Sequence, residues 1–186
     1  MPVKFKLTGS GPFIETGSYK GDGIQAALNA GFSPVYSIEV NETWYQHCRN
    51  RFANEISAGD VVLLFGDSSF KLREITSSLS EPATFKLDAH TQSFNMSDGD
   101  EIKEKCPLID ELEAIKQSQI DTHTILIDDV RLLNREKAWG GHEVTVESII
   151  SQARGFNSSY KVSFHTGFKR KDVMKLACDQ SSIDDY

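Results

Sequence analysis

Hydrophobic positions along the chain form short apolar runs that alternate, from about residue 12 onward, with segments of helical periodicity. The runs are rich in β-branched and aromatic residues, which favours strands. They lie at residues 13–14, 35–38, 61–65, 83–87 and 124–127. In the intervening segments apolar side chains recur three or four positions apart, which predicts helices with one buried face. These helices are expected at residues 24–30, 41–52, 68–79, 107–115 and 146–153.

Local signals indicate where some of these helices begin and which side they bury. Asn41 is a favoured residue for an N-cap, because its side chain can accept a hydrogen bond from the first turn. In the helix that begins at Ser68, we expect Phe70, Ile75 and Leu79 to face inward.

The last two apolar runs, residues 160–164 and 173–177, follow each other without a helix between them, which predicts a hairpin. The preceding alternation of strands and helices is typical of an α/β fold with an open, mostly parallel sheet and helices on both faces. The hairpin would add one antiparallel strand. Ligands of such folds bind at the carboxyl ends of the strands.

Length and composition fit a single globular domain over residues 1–186. The chain is 39% hydrophobic and 25% charged, close to the globular average, which excludes disordered, collagen-like and disulfide-scaffold proteins. Three cysteines without CxxC spacing are expected to be free thiols in a reducing compartment.

The net charge of the chain limits the classes of partner that we expect it to bind. Lys and Arg number 20 against 27 Asp and Glu, for a net charge of −7. An acidic surface repels phosphate backbones and anionic lipids, so we expect neither a nucleic-acid nor a membrane partner. The sequence shows neither a signal peptide nor a long apolar run, which predicts a soluble, cytoplasmic protein.

The first strand-to-helix turn, residues 15–23, is rich in glycine. Glycines let a backbone approach a ligand closely, and the following helix offers N–H groups to an anion. The spacing is not G-x-G-x-x-G, because Tyr19 and Asp22 occupy the second and third glycine positions, which argues against a dinucleotide. The alternative is that these glycines only form a tight turn.

Two acidic residues follow the second and third strands. Glu39 lies 22 residues after Gly17, where a carboxylate can accept both hydroxyls of a ribose. Asp67 could contact an adenine edge, or it could cap the next helix. Together with the glycine turn, these residues indicate an adenosine ligand.

Several segments, taken in order, resemble the class I S-adenosylmethionine-dependent methyltransferases, and more narrowly the macrocin-type O-methyltransferases and the FkbM-like group. The matching segments are residues 13–23, 35–39, 66–68, 87–90, 106–115 and 125–129, and the resemblance covers about residues 12–178. It implies a single Rossmann-like, doubly wound sheet of seven strands in the order 3-2-1-4-5-7-6, with one antiparallel C-terminal strand.

The resemblance also assigns a cofactor pocket for S-adenosylmethionine. Glu39 would bind the ribose, and Asp67 and Ser68 would flank the adenine. The methionine end would lie against the first turn and the end of the fourth strand. The residues expected there are Glu15, Thr16, Gly17, Ser18, Tyr19, Gly21 and Asp88.

A second set of residues follows the fourth and fifth strands. By the resemblance, Asp88, Asp128 and Asp129 would bind Mg²⁺ or another divalent metal, since oxygen ligands favour hard cations. Asp88 and His90 would be catalytic, with His90 as the general base because its ordinary pKa lies near neutrality. The alternative for Asp128 and Asp129 is a helix-capping pair without metal.

Residues 91–105 form the longest polar stretch. Loops longer than about 12 residues are usually functional or disordered. Their position after Asp88 and His90 predicts a lid or insertion over the acceptor site.

The function expected from these residues is methyl transfer to an oxygen of a small-molecule acceptor or sugar. Two alternatives stay open: a protein that binds S-adenosylmethionine or S-adenosylhomocysteine without methyl transfer, and a nicotinamide-dependent oxidoreductase, which the glycine spacing disfavours. The oligomeric state is also open, with a homo-oligomer as one option.

Overall fold

The computed structural model describes residues 7–9, 11–89, 107–133 and 144–178. Its strands are β1 (Phe13–Thr16), β2 (Val35–Glu39), β3 (Val61–Phe65), β4 (Thr84–Leu87), β5 (Thr124–Ile127), β6 (Lys161–His165) and β7 (Val173–Ala177). Its helices are α1 (Asp22–Asn29), α2 (Glu42–Arg51), α3 (Ala53–Ala58), α4 (Ser68–Thr76), α5 (Leu108–Lys116) and α6 (Val146–Phe156), with a 3₁₀ turn at Val130–Leu132.

The seven strands form one sheet in the order β3-β2-β1-β4-β5-β7-β6. The first five are parallel, and β7 runs antiparallel to both β5 and β6. The predicted fold class and strand order are confirmed. The chain winds outward from β1 to β3 and then crosses to β4 on the other side of β1. This reversal creates a crevice at the carboxyl ends of β1 and β4, where Glu15 and Lys86 are register partners.

Helices cover both faces of the sheet, and adjacent strand residues point toward opposite helical layers. Ile14 packs in one core with buried residues of α4, α5 and α6, while its neighbour Phe13 packs in the other with residues of α1 and α2. A parallel sheet between two helical layers needs strands that are apolar on both sides, which explains the continuous apolar runs.

Sequence predictions about two helices need correction. In the helix predicted over residues 68–79, Phe70 was expected to face inward, but it is 67% exposed. Ile75 is buried as predicted, and Leu72 faces the core in place of Phe70, since a residue two positions from Leu72 lies roughly 200° around the helix. This helix ends at Thr76. The helix predicted over residues 41–52 ends at Arg51, because Phe52 leaves helical geometry and a separate helix, α3, follows.

The predicted lid at residues 91–105 lies outside the described residues, as does His90. Among the helices that the structure describes, none combines the length and apolarity that crossing a bilayer requires.

Candidate functional site

The turn after β1 is held tightly against the end of β4. Gly17 has a φ of +82°, and its N–H donates to the carbonyl of Ile38 at 2.9 Å. A side chain at Gly17 would place its Cβ 2.8 Å from the carbonyl oxygen of Asp88. Glycine is therefore required here by both backbone conformation and the approach of β4.

The glycines at the start of α1 make room for neighbouring side chains. A Cβ at Gly21 would lie 2.4 Å from the ring of Phe52, and one at Gly23 would lie 1.6 Å from Oε1 of Glu15. The carboxylate of Glu15 therefore lies directly against the first turn of α1. Internal packing therefore requires glycine at both positions.

Hydroxyl groups of the same turn are engaged inside the protein. The Oγ1 of Thr16 accepts the N–H of Asp88 at 3.2 Å. The Oγ of Ser18 lies 2.6 Å from that of Ser37, which donates to Oε2 of Glu15. These contacts fix the shape of the turn between β1 and its neighbours.

Glu39, predicted to bind the ribose, has a buried carboxylate that accepts two backbone N–H groups. The N–H of Tyr19 donates to its Oε2 at 2.7 Å, and the N–H of Asn41 donates to its Oε1 at 2.8 Å. The residue is 6% exposed. Each carboxylate oxygen can accept two hydrogen bonds, so each retains capacity for a ribose hydroxyl. The carboxylate is thus held in one orientation before a ligand arrives.

Aromatic rings lie beside this carboxylate. The half-exposed ring of Tyr19 packs against Trp44 with ring centroids 4.4 Å apart, and the Nζ of Lys20 lies 5.2 Å from the Tyr19 ring centroid. Tyr19 takes a φ of 46°, which directs its N–H toward Glu39 while its ring stays at the surface.

At the end of β3, Asp67 caps α4, which is the second of the two roles predicted for it. Its Oδ1 accepts the N–H of Ser69 at 2.8 Å and the hydroxyl of the same residue at 2.6 Å. The adjacent Ser68 is buried, and its hydroxyl donates to Oε1 of Glu111 at 2.5 Å. The predicted adenine contacts of Asp67 and Ser68 stay predictions.

Glu111 is a buried acid that sequence reasoning missed. It is 1% exposed, and burial raises its pKa to about 7 against the opposing effect of the Ser68 and Thr16 hydroxyls. Its position in the sequence could have indicated burial, because it lies three residues after Leu108 and four before Ile115, on the apolar stripe of α5.

The predicted acidic cluster at the crevice contains a buried cation, Lys86. Its Nζ lies 2.6 Å from Oδ2 of Asp88, 3.4 Å from Oε1 of Glu15 and 3.9 Å from Oδ2 of Asp128. Lys86 is 5% exposed. Three carboxylates from the ends of β1, β4 and β5 therefore converge on one ammonium group.

The electrostatics of this cluster follow from burial and pairing. Burial alone would lower the pKa of Lys86, but the carboxylates of Asp88, Glu15 and Asp128 outweigh it and raise that pKa above its ordinary value. Burial raises the pKa of Glu15 to about 7, and Lys86 opposes this rise. Burial and the nearby Asp88 also raise the pKa of Asp128.

Asp129 is directed to a different partner. The guanidinium of Arg131 pairs with Asp129 and with the buried Asp172, and it lies 5.0 Å from the Phe168 ring centroid. Asp172 also accepts the N–H of Lys169 at 3.2 Å. These contacts join the segment after β5 to the turn of the β6–β7 hairpin.

The three predicted metal ligands are therefore divided between two side-chain cations. Asp88 and Asp128 contact Lys86, whereas Asp129 pairs with Arg131. This donor set does not fit a divalent ion, and no cluster suited to a metal occurs among the residues that the structure describes. The alternative of a helix-capping pair is not met, because neither side chain caps the 3₁₀ turn Val130–Leu132; Oδ1 of Asp128 instead accepts the N–H of the adjacent Asp129, at 2.8 Å.

Comparison with known proteins gives structural likeness without sequence likeness. No family profile and no curated protein matches the sequence. Among solved structures, this chain is similar to a Podospora anserina methyltransferase with bound S-adenosylhomocysteine, at 13% identity and a TM-score of 0.55 over 91% of this chain and 72% of that one.

Two further structures extend this likeness. An O-methyltransferase from Bacillus cereus, also with S-adenosylhomocysteine, has 16% identity and a TM-score of 0.53 over 89% of this chain and 73% of that one. The glycopeptide N-methyltransferase MtfA with sinefungin has 14% identity and a TM-score of 0.50 over 90% of this chain and 79% of that one. The chain thus shares the class I methyltransferase fold.

Proposed function

We propose that the protein is an S-adenosylmethionine-dependent methyltransferase that acts on an oxygen of a small-molecule or sugar hydroxyl. The observation that carries this proposal is the carboxylate of Glu39, held by two backbone N–H groups at the carboxyl end of β2. It lies beside the turn after β1, one strand from the reversal of strand order between β1 and β4 where such folds bind ligands. Solved structures of the same fold that contain S-adenosylhomocysteine support the choice of cofactor.

The residues present can be assigned to parts of the cofactor. Glu39 would accept the ribose hydroxyls, and Asp67 and Ser68 would flank the adenine. The methionine end would lie against the first turn. The residues proposed to form that part of the pocket are Glu15, Thr16, Gly17, Ser18, Tyr19, Gly21 and Asp88. When bound, the cofactor supplies an electrophilic methyl group on a positively charged sulfur.

Charge at the crevice suits such a cofactor. Glu15, Asp88 and Asp128 surround the single ammonium of Lys86, which leaves the cluster acidic beside the proposed methionine end. A fixed negative potential favours a cationic ligand.

For the transfer itself, we assign orientation to Asp88 and proton removal to His90. Asp88 follows β4, and its side chain is a quarter exposed at the crevice, where it can accept a hydrogen bond from an acceptor hydroxyl. His90, two residues further along, would take up at a ring nitrogen the proton of the hydroxyl that is methylated, so the hydrogen bond that Asp88 accepts would come from a second polar group of the acceptor. Holding acceptor and cofactor in line supplies much of the rate of such reactions.

The proposal is tested by calorimetric titration of the wild-type protein with S-adenosylhomocysteine and, separately, with NAD. We expect binding of S-adenosylhomocysteine and none of NAD, and the reverse would support the oxidoreductase. An acceptor panel with methyl-labelled S-adenosylmethionine, followed by mass spectrometry, then distinguishes the enzyme from a binding protein. Label on a nitrogen would contradict the proposed oxygen acceptor.

A further inference from the structure

The ammonium group of Lys86 occupies the point at which three strand ends meet. Lys86 lies on β4 with Glu15 of β1 as its register partner, and Asp88 and Asp128 follow β4 and β5. The nitrogen lies 2.6 to 3.9 Å from an oxygen of each carboxylate. A lysine ammonium has three N–H donors, so one group can serve all three acids.

A divalent ion and this ammonium compete for the same carboxylates. An ion bound to Asp88 and Asp128 would need their oxygens at about 2.0–2.6 Å, which would bring it close to the nitrogen of Lys86. The two cations would repel each other across a short, buried distance. Asp129, the third acid expected at a metal, is already paired with Arg131.

Lys86 also connects the two halves of the crevice. Glu15 lies against the first turn of α1, on the side proposed for the cofactor, and Asp88 lies at the edge proposed for the acceptor. Removing one partner from a buried ionic group is strongly unfavourable, because it leaves uncompensated charge. The ammonium therefore fixes the positions of both carboxylates.

We propose that Lys86 is the resident cation of this acidic cluster, a positioning residue that takes the place of a divalent metal and makes cofactor binding and methyl transfer independent of metal. This inference rests on the proposed function for its cofactor and extends it to the site's cation. It assigns to Lys86 the role that the sequence analysis assigned to a metal ion bound by Asp88, Asp128 and Asp129.

The first test uses the wild-type protein. S-adenosylhomocysteine is titrated in EDTA and again in millimolar Mg²⁺, and Mn²⁺ alone is titrated with detection by electron paramagnetic resonance. We expect equal cofactor affinity within about twofold and no stoichiometric Mn²⁺ binding. Stoichiometric Mn²⁺, or a tenfold weaker affinity in EDTA, would overturn the inference. Failure to bind S-adenosylhomocysteine in either buffer would instead overturn the proposed function.

The second test uses Lys86→Met, with Lys86→Arg as the conservative variant. In Lys86→Met we expect at least tenfold weaker binding of S-adenosylhomocysteine and a thermal midpoint that rises with added Mn²⁺, because the bared carboxylates now accept an ion. Lys86→Arg should restore affinity and show no response to Mn²⁺. A Lys86→Met protein with wild-type affinity and no response to Mn²⁺ would contradict the role of Lys86.

Lys175→Met is the matched control. Lys175 is a half-buried lysine of β7 that pairs in register with Leu126, the same β5 residue that pairs with Lys86. Lys175→Met should keep wild-type affinity for S-adenosylhomocysteine, and its thermal midpoint should remain insensitive to Mn²⁺. If Lys86→Met does not fold, the wild-type titrations in EDTA and Mn²⁺ still decide the question.

Discussion

Buried charged side chains at the carboxyl edge of the sheet each have a specific partner. Lys86 pairs with carboxylates, Glu39 accepts two backbone N–H groups, and Glu111 accepts a hydroxyl from Ser68. Burying a charge is costly unless it is paired and hydrogen-bonded. Glu111 has a hydroxyl partner in place of a cation, and its burial raises its pKa to about 7.

Glu111→Gln should change the pH dependence of stability. The pKa of Glu111 rises from 4.5 to about 7 on folding, so the folded state holds the extra proton between those values. The stability that Glu111 contributes is therefore complete below about pH 4.5 and is lost as pH rises through 7. Between pH 5 and pH 8, the free energy of unfolding of the wild type should therefore fall relative to that of Glu111→Gln by up to about 3 kcal/mol.

Urea unfolding at several pH values measures this difference. Glu113→Gln, on the same helix but paired with Lys116 at the surface, is the control and should follow the wild type. Parallel pH profiles for the wild type and Glu111→Gln would show that Glu111 ionises normally.

Two glycines should respond in opposite ways to alanine. Gly23→Ala places a Cβ 1.6 Å from the buried Glu15 carboxylate and should destabilise the fold by roughly 1–3 kcal/mol. Gly155→Ala, in the last turn of α6 with open space around it, should stabilise by about 0.5–1 kcal/mol. Chemical denaturation distinguishes them, and equal effects would mean that Glu15 does not pack against α1.

At the scale of elements, side-chain caps fix where the helices of the site begin. Asn41 accepts the N–H of Trp44 at 3.1 Å and starts α2 directly after Glu39. Asp67 starts α4 after β3, and Thr145 forms a capping box at the start of α6. The loops that follow β2 and β3 are therefore short and held at both ends.

Asp67→Ala and Thr145→Ala separate capping from cofactor binding. Each removes an N-cap and should lower the free energy of unfolding by about 1 kcal/mol. If Asp67 also meets the adenine, only Asp67→Ala should weaken binding of S-adenosylhomocysteine in calorimetry. Unchanged affinity in that variant would leave Asp67 with its capping role alone.

At the scale of the molecule, the sequence predicted the sheet better than the site. The short apolar runs identify β2, β3 and β5, because they are rich in β-branched and aromatic residues, which favour strands. Phe70 was predicted to face the core because it is hydrophobic, but Leu72 occupies the core-facing side of the helix. Its exposure could not be read from a short helix with apolar residues on more than one side.

The contacts within the site could not be read from local patterns. Lys86 and Glu15 are 71 residues apart in the chain, and Ser68 and Glu111 are 43 apart. A lysine within a strand normally indicates an exposed position. Only the parallel pairing of β1 with β4 brings Lys86 to Glu15, and so the sequence predicted that Asp88 and Asp128 would share a site but not that Lys86 would be their cation.

The most direct measurement of the central claim is calorimetric titration of S-adenosylhomocysteine into the wild type, Glu39→Ala and Glu42→Ala. Glu39 is the fixed carboxylate at the end of β2, whereas Glu42 is exposed in the first turn of α2. Loss of hydrogen bonds to a charged group should weaken binding to Glu39→Ala by roughly 1.5–3 kcal/mol. Glu42→Ala should bind like the wild type. Wild-type affinity in a folded Glu39→Ala protein would contradict the proposed cofactor site.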